Sequence, residues 1–229
     1  MSLPSVSVIM AVRNGERFLQ QAIESVLSQD YSPIEVLIID GHSSDRTKEI
    51  ACSYPQIRYL LQPDQGISNA YNYGVISSQG ELIAFLSHDD IWTPKKLSLQ
   101  VEFLQKHPEV GYVIAQTQYF LEPGCAFPYQ SLRADILEKN WILRMMEIVL
   151  IRRNVFEKVG LFDPSLSTAE DVDWFARADD EGIQMGVVHQ ILLHKRIHNQ
   201  NISIYSEQHH QNLLSALRKS ARRKRGRQI

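Results

Sequence analysis

Residues 81–90, ELIAFLSHDD, describe a buried strand that ends in a polar and acidic segment. The run from Leu82 to Leu86 is continuously apolar, which is typical of a strand covered on both faces of a parallel sheet. Two neighbouring carboxylates, Asp89 and Asp90, follow shortly after it. A turn needs only one such side chain, so the second carboxylate indicates an additional role.

The first half of the chain alternates between strand-like and helix-like segments. Short apolar runs predict the strands, and amphipathic runs between them predict the helices. The predicted strands are residues 6–12, 35–40, 57–62 and 81–86, and the predicted helices are residues 15–29, 44–54, 68–77 and 94–105. Because helical crossovers join parallel strands, this order predicts an α/β fold with a Rossmann-like, mostly parallel central sheet and helices on both faces.

The second half of the chain is less regular. Strands are predicted at residues 110–120, 147–153 and 185–198, and helices at residues 170–182 and about 207–218. No interior linker is visible, so we expect a single globular domain over residues 1–205, followed by a C-terminal helix and basic tail at residues 206–229.

The composition is that of an ordinary globular protein. The chain has 229 residues, of which 44% are hydrophobic, and its formal net charge is -2. This balance supports a substantial core and gives no indication of disorder or of a nucleic-acid partner. The only cysteines are Cys52 and Cys125, so we expect no disulfide framework and a reducing compartment. Because neither a signal peptide nor a run of about 20 apolar residues is visible, the predicted location is cytoplasmic.

Residues 218–229, RKSARRKRGRQI, form a basic tail with seven Lys or Arg residues and no acidic residue. One interpretation is a solvated tail. The other is a weak anchor for anionic lipid, since each basic residue near a membrane surface contributes about 1 kcal/mol. On the second interpretation, the protein is cytoplasmic and also contacts the inner face of the membrane peripherally.

Polar or charged residues follow each of the four strands predicted in the first half. Arg13 and Asn14 follow the first strand, Asp40 ends the second, and Asp64 follows the third. Ligands of open α/β sheets bind beyond the carboxyl ends of the strands, so these residues and the two aspartates of the opening segment should line one crevice. An acidic crevice is costly without a cation, which predicts a cation there.

Three motifs of phosphate or metal chemistry are absent from the sequence, namely GxxxxGK[ST], GxGxxG and HExxH. Their absence excludes a P-loop enzyme, an ordinary dinucleotide oxidoreductase and a zincin. Mg²⁺ and Mn²⁺ prefer carboxylate oxygens and share their coordination shell with water and substrate phosphates. From the residues alone, Asp89 and Asp90 are therefore either half of such a site, completed by a diphosphate, or an Asx turn before the next helix.

Five segments, in this order, resemble the successive sequence blocks of family 2 glycosyltransferases, which have the GT-A fold. The segments are SVIMAVRNGERFLQQAIESVLSQDY, EVLIIDGHSSDRTKEI, QPDQGISNAYNYGV, GELIAFLSHDD and STAEDVDWFARA. The resemblance covers about residues 5–200. It implies an inverting transferase with a nucleotide-diphosphate sugar as donor and Mn²⁺ or Mg²⁺ as cofactor. It further implies a nucleotide-sugar-binding half at about residues 1–115 and an acceptor half at about residues 116–205.

The resemblance also implies a nucleotide-sugar site at the first three strand ends. The loop with Val12, Arg13 and Asn14 should border the nucleotide. Asp40 should bind the base or ribose, since a carboxylate accepts hydrogen bonds from N–H and hydroxyl groups. Asp64 should lie near the nucleotide in the same crevice.

The opening segment resembles the Asp-x-Asp region of the family, which binds the metal and the ribose and phosphates of the donor. The resemblance assigns Asp89 and Asp90 to the metal site, with either of them as the direct ligand, and it assigns Asp89 to the donor as well. Family members often have Asp where Ser87 stands, and this loss of a carboxylate could change how the metal is bound. His198 stands near a late metal or phosphate ligand of some relatives, although a lone histidine is more often a packing or surface residue.

Glu170 and Asp171 form an acidic pair at the predicted start of a helix. Complementarity to the helix dipole explains most such pairs and is worth about 0.3–1 kcal/mol. The Glu-Asp motif of the family implies a general base, for which we favour Asp171, with Glu170 orienting it or contacting the acceptor. The following Trp174 and Phe175 either pack in the core or line an acceptor pocket.

The predicted function is inverting glycosyl transfer in polysaccharide or cell-envelope glycan synthesis, with a glycan or lipid-linked acceptor. Two alternatives are a sugar-phosphate nucleotidyltransferase and a nucleotide-sugar-binding protein without turnover. The first would need a glycine-rich, arginine-bearing loop after the first strand, where this chain has only Gly15. The second is motivated by Ser87 in place of Asp.

Overall fold

A mixed β-sheet forms the centre of the molecule. The computed structural model describes residues 3–125, 134–166, 168–201, 219–220 and 223. Within this part the nine strands are β1 (Val6–Val12), β2 (Ile34–Asp40), β3 (Ile57–Leu61), β4 (Leu82–Phe85), β5 (Ile91–Trp92), β6 (Val110–Leu121), β7 (Asn140–Ile142), β8 (Leu150–Arg152) and β9 (Gln184–Ile197). The helices are α1 (Leu19–Leu27), α2 (Thr47–Cys52), α3 (Ile67–Ser77), α4 (Lys96–Lys106), α5 (Arg153–Val159) and α6 (Glu170–Asp180). The strand order is β3-β2-β1-β4-β8-β6-β9-β5, and β7 pairs with β6.

The first half of the chain builds a parallel unit, as predicted. β1 pairs in parallel with both β2 and β4, and β2 pairs in parallel with β3. Every residue of β1 and β4 is buried, which is the pattern of strands covered on both faces. The register places Val12 beside Asp40, so the carboxyl ends of β1 and β2 meet at one edge of the sheet.

The second half adds antiparallel pairs and makes the sheet mixed. β8 is antiparallel to β4 and β6, whereas β6 runs parallel to β9 with several register shifts. The predicted α/β class is confirmed. β5 and β7 were not predicted, because strands of two and three residues are too short to show a hydrophobic period.

The predicted strand at residues 147–153 is wrong at its start. A 3₁₀ turn (Met146–Ile148) comes first, and the strand β8 begins only at Leu150. Three consecutive carbonyls here accept hydrogen bonds from buried side chains: Glu147 O from Trp92 Nε1 (2.8 Å), Ile148 O from Gln100 Nε2 (2.8 Å) and Val149 O from Lys96 Nζ (3.4 Å). Because these side chains take the carbonyls, they are not available to a strand ladder.

An aromatic cluster fixes helix α6 against the sheet. Trp174 is fully buried, and its ring centroid lies 5.2 Å from that of Phe156 and 6.0 Å from that of Tyr112. Its indole N–H donates to the carbonyl of Gly160 at 3.1 Å. Phe175 is also buried. Both aromatic residues therefore belong to the core, and they hold the start of α6 in a defined position.

Two residues of the basic tail pair with acids of the globular part. Lys219 Nζ lies 2.5 Å from Asp163 Oδ2, and Arg223 Nε lies 2.9 Å from Asp180 Oδ2 on α6. The helix predicted at residues 207–218 lies outside the described residues. Among the residues that the structure describes, no helix is long and apolar enough to cross a membrane.

The close approach of α3 to β1 gives a stability prediction. A Cβ atom added at Gly74 would lie 2.4 Å from Cγ2 of the fully buried Ile9. We expect Gly74→Ala to lower the free energy of unfolding by about 1–3 kcal/mol, as overpacked cores do, although alanine is the better helix former. Denaturant unfolding measures this. In an Ile9→Ala background the same substitution should cost less, and an equal cost in both backgrounds would contradict the packing argument.

Candidate functional site

Asp40 ends β2 with a buried carboxylate whose oxygens are already hydrogen-bonded. Oδ1 accepts from the backbone N–H of Ser43 (3.0 Å) and from its hydroxyl (2.6 Å), and Oδ2 accepts from the Tyr59 hydroxyl (2.5 Å). Burial and this last hydrogen bond raise the pKa of Tyr59. A carboxylate offers about four acceptor positions, so one position remains for a ligand donor.

The loop after β1 is tied to the loop after β2. Asn14 adopts the left-handed conformation at φ 52°, which asparagine tolerates better than most residues. Its N–H donates to Ser43 Oγ (2.8 Å), and its side-chain Oδ1 accepts from the N–H of Ser44 (2.9 Å). Val12 is buried beside this loop, and Arg13 is exposed. The structure therefore brings these predicted residues to the same edge as Asp40.

Asp64 lies on the exposed loop after β3. Its backbone carbonyl accepts a hydrogen bond from Gln62 Nε2 at 2.6 Å. Within the described residues its carboxylate makes no hydrogen bond or ion pair. Asp64 is thus exposed, as Arg13 is, whereas Val12 and Asp40 are buried.

Asp89 and His198 meet although they are 109 positions apart in the sequence. Asp89 Oδ2 lies 2.9 Å from His198 Nε2 and also accepts from Asn201 Nδ2 at 3.2 Å. Both side chains are largely buried, with 14% and 4% exposed. Burial acts to raise the pKa of Asp89, but the hydrogen bond with His198 and the electrostatic effects of His88 and Lys195 lower it below its ordinary value.

The Asp90 carboxylate is buried and accepts hydrogen bonds from two residues near the end of β9. Its Oδ1 accepts from the backbone N–H of Arg196 (2.9 Å), and its Oδ2 accepts from Lys195 Nζ (2.9 Å). The side chain is 1% exposed. Burial alone would lower the pKa of Lys195, but Asp90 and Glu147 outweigh it and raise that pKa well above its ordinary value. The two adjacent aspartates thus have different partners and different environments.

Glu147 is a residue of the site that the sequence did not reveal. Its Oε1 accepts from the Ser87 hydroxyl at 2.8 Å and from Lys195 Nζ at 3.3 Å. The only sign of Glu147 as a site residue is its position at the start of the apolar run EIVLIRR, because an acid is unusual beside a buried segment. The structure therefore places a carboxylate against the position where the opening segment has serine.

Glu170 and Asp171 occupy the first turn of α6, after Ala169 in the left-handed conformation. Burial, and next the neighbouring Asp171, raises the pKa of Glu170 to about 8. Burial, and next the carboxylate of Glu147, raises the pKa of Asp171 to about 6. Desolvation therefore outweighs the helix N-terminus, which would lower both pKa values.

The donor set at Asp89 and His198 fits a hard divalent cation in part. A carboxylate oxygen and an imidazole nitrogen are suitable ligands for Mn²⁺ or Mg²⁺ when substrate phosphates and water complete the shell. In the part of the chain that the structure describes, no group of three or more His, Cys, Asp or Glu side chains is arranged to hold a metal. Asp90 fits poorly, because Lys195 and a backbone N–H occupy its two oxygens.

Comparison with known proteins identifies the family. The model of glycosyl transferase family 2 matches residues 7–160. An uncharacterised glycosyltransferase of Rickettsia typhi is 31% identical over 208 residues, which are 86% of this chain and 65% of that protein. Glycosyltransferase AglE of Haloferax volcanii is 31% identical over 206 residues, which are 83% of this chain and 66% of that protein. The chain thus spans about two thirds of the length of these relatives.

Solved structures confirm the GT-A fold. S. aureus TarS 1–349 in complex with UDP-GlcNAc matches with a TM-score of 0.77 at 17% identity. The match covers 96% of this chain and 66% of the TarS chain. The mannosyltransferase PcManGT from Pyrobaculum calidifontis, in complex with GDP-Man and Mn²⁺, matches with a TM-score of 0.74 at 19% identity. The match covers 97% of this chain and 65% of the PcManGT chain. With the family model matching more than half of its residues, the chain belongs to glycosyltransferase family 2.

Proposed function

We propose that the protein transfers a sugar from a nucleotide-diphosphate sugar to an acceptor hydroxyl, with inversion at the anomeric carbon. One observation carries this proposal. The Lys195 ammonium bonds to Asp90, next to the Asp89–His198 pair, and it also acts electrostatically on Asp171. The Asp89–His198 pair, which is the proposed diphosphate site, and the candidate base therefore have a common charged neighbour, which supports a shared site for donor and acceptor.

The nucleoside is proposed to bind at the carboxyl ends of β1 and β2. The remaining acceptor position of Asp40 suits an N–H of the base or a ribose hydroxyl. Val12, Arg13 and Asn14 would border the nucleotide, and the exposed Asp64 would reach it from the third strand end. The bonds between the two loops support this proposal, because a preorganised site loses less entropy on binding.

We propose Asp89 and His198 as the protein ligands of Mn²⁺ or Mg²⁺. Such an ion, when bound, neutralises negative charge on the departing diphosphate. Asp90, which the sequence also indicated as a ligand, is proposed instead to anchor β9 through Lys195 and the backbone of Arg196.

The two carboxylates of α6 divide the proton chemistry between them. At neutral pH Asp171, with a pKa of about 6, is ionised and accepts the proton of the acceptor hydroxyl. Glu170, with a pKa of about 8, keeps its proton and orients the acceptor as a hydrogen-bond donor. As the hydroxyl oxygen bonds to the anomeric carbon, the bond to the diphosphate oxygen breaks and the nucleoside diphosphate leaves with the electron pair.

The acceptor is proposed to be a glycan or a lipid-linked glycan, as in polysaccharide or cell-envelope glycan synthesis. Such an acceptor suits a cytoplasmic enzyme that touches the inner face of the membrane through its basic tail. Lys219 and Arg223 already pair with Asp163 and Asp180, so the other basic residues of the tail are the ones proposed to meet anionic lipid.

Replacement of the base tests the proposed chemistry. Asp171→Asn should lower kcat by about 10²–10⁴-fold and leave nucleotide affinity unchanged, because the base acts only on the acceptor. Asp179→Asn, on the exposed side of the same helix and paired with Arg144, is the matched control and should keep its activity. Transfer and donor hydrolysis measure the first effect, and calorimetric titration measures the second. Near-normal turnover of Asp171→Asn would remove the assignment.

The pKa values predict a pH profile. Because Asp171 accepts a proton only when ionised, kcat should fall about tenfold per pH unit below about pH 6 and level off above it. Loss of the Glu170 proton above about pH 8 should produce a second decline. The pH dependence of kcat measures both limbs. An acid limb near pH 8 would instead make Glu170 the base.

Nucleotide binding tests the proposed metal ligands. UDP, GDP and dTDP are titrated calorimetrically with and without Mn²⁺, and one of them should bind with Mn²⁺ dependence. His198→Ala should then weaken the Mn²⁺-dependent affinity about 10–100-fold. His107→Ala, an exposed histidine paired with Glu109, is the control. Binding that Mn²⁺ leaves unchanged would exclude this metal site, and metal-dependent binding without donor hydrolysis would favour a binding protein without turnover.

A further inference from the structure

Four side chains form a connected group that the transfer reaction, as described, does not use. We call Ser87, Asp90, Glu147 and Lys195 the Glu147 cluster. Ser87 donates to Glu147, and the Lys195 ammonium donates to both Glu147 and Asp90. These residues come from the loop after β4, the 3₁₀ turn and β9. The cluster therefore joins three separate segments of the chain through one buried cation.

The turn that carries Glu147 is held rigidly. Its three consecutive carbonyls accept hydrogen bonds from Trp92, Gln100 and Lys96, each of which is at most 2% exposed. Lys96 also lies over the Trp92 ring, 4.1 Å from its centroid. Buried polar side chains are costly unless they are paired, and here three of them hold one turn in place by hydrogen bonds. The position of the Glu147 carboxylate is thus strongly determined by the fold.

The Glu147 carboxylate faces Ser87, the residue at which the polar segment SHDD begins. The hydrogen bonds from Ser87 and Lys195 both fall on the same oxygen, Oε1. The Ser87 hydroxyl lies 2.8 Å from that oxygen and the Lys195 ammonium lies 3.3 Å from it, so both are direct neighbours of one carboxylate oxygen. An aspartate at position 87 would carry its carboxylate oxygens one bond further from the backbone than the serine hydroxyl.

We propose that Glu147 is a positioning residue that supplies, from the 3₁₀ turn, the carboxylate that Ser87 lacks, and so holds the Lys195 ammonium beside the diphosphate of the donor. This inference rests on the glycosyl transfer proposed above. It implies that the site keeps its negative charge, with the carboxylate at position 147 rather than at position 87. A carboxylate should consequently work at position 87 or at position 147, but not at both, because two carboxylates in hydrogen-bond contact without a shared proton repel each other.

A charge-swap cycle tests this proposal. Ser87→Asp, Glu147→Ser and the double variant are compared with the wild-type chain for Mn²⁺-dependent UDP affinity, for GDP affinity, and for KM and kcat of donor hydrolysis. Each single variant should lose about tenfold or more in nucleotide affinity, and KM should rise more than kcat falls. The double variant should recover at least tenfold over Glu147→Ser, because Asp at position 87 again pairs Lys195.

Two further variants separate charge from shape. Glu147→Gln keeps the volume and a hydrogen-bond acceptor but removes the charge, and it should weaken UDP affinity about as much as Glu147→Ser. Glu102→Gln makes the same chemical change in an exposed i,i+4 pair with Lys106, and it should bind UDP normally. Thermal unfolding of all variants shows which of them are folded at the temperature of the titrations.

The outcomes distinguish this inference from the proposed function. A wild-type chain that binds UDP or GDP, with a double variant no better than Glu147→Ser, overturns the positioning role alone. Normal affinity in Glu147→Gln does the same. A wild-type chain that binds none of UDP, GDP and dTDP, with or without Mn²⁺, overturns the proposed function and the inference with it.

Discussion

The buried ion pair between Asp90 and Lys195 joins the two halves of the chain and organises the site. Its partners are 105 positions apart, one after β4 and one near the end of β9. Asp90 also binds the backbone of Arg196, and this fixes the end of β9 in the register that places His198 against Asp89. Removal of one partner from such a pair typically costs about 3–5 kcal/mol, because the other charge stays buried and unpaired.

The same cation separates two groups of carboxylates by their environment. Asp89, beside histidine, has a lowered pKa. Glu170 and Asp171 are desolvated and close to other carboxylates, and their pKa values rise. Burial and neighbouring charges thus move the pKa values of these carboxylates in opposite directions, as in enzymes that divide acid and base chemistry between carboxylates.

Local patterns in the sequence were sufficient for the parallel unit and for the polar strand ends. The apolar runs of β1, β2 and β4 stand out from the polar segments around them, and parallel topology then brings Asp40 and the Asn14 loop together. The partner of Asp90 was not predictable, because Lys195 is distant in sequence and its strand shows no charge pattern. Glu147 was missed for a related reason, since its turn depends on side chains of β5 and α4 rather than on its own residues.

The contacts of Lys219 and Arg223 bear on how the protein is handled in the laboratory. Arg223 pairs with Asp180 and, at 3.4 Å, with Asp173, both on the helix that begins with Glu170 and Asp171. A version shortened before residue 219 for expression or crystallisation would remove the Arg223 guanidinium, which neutralises two nearly buried acids of this helix. Truncation of the basic tail would thereby change the charges on the helix that carries the candidate base. Kinetic data from the shortened and the unshortened chain are therefore not interchangeable.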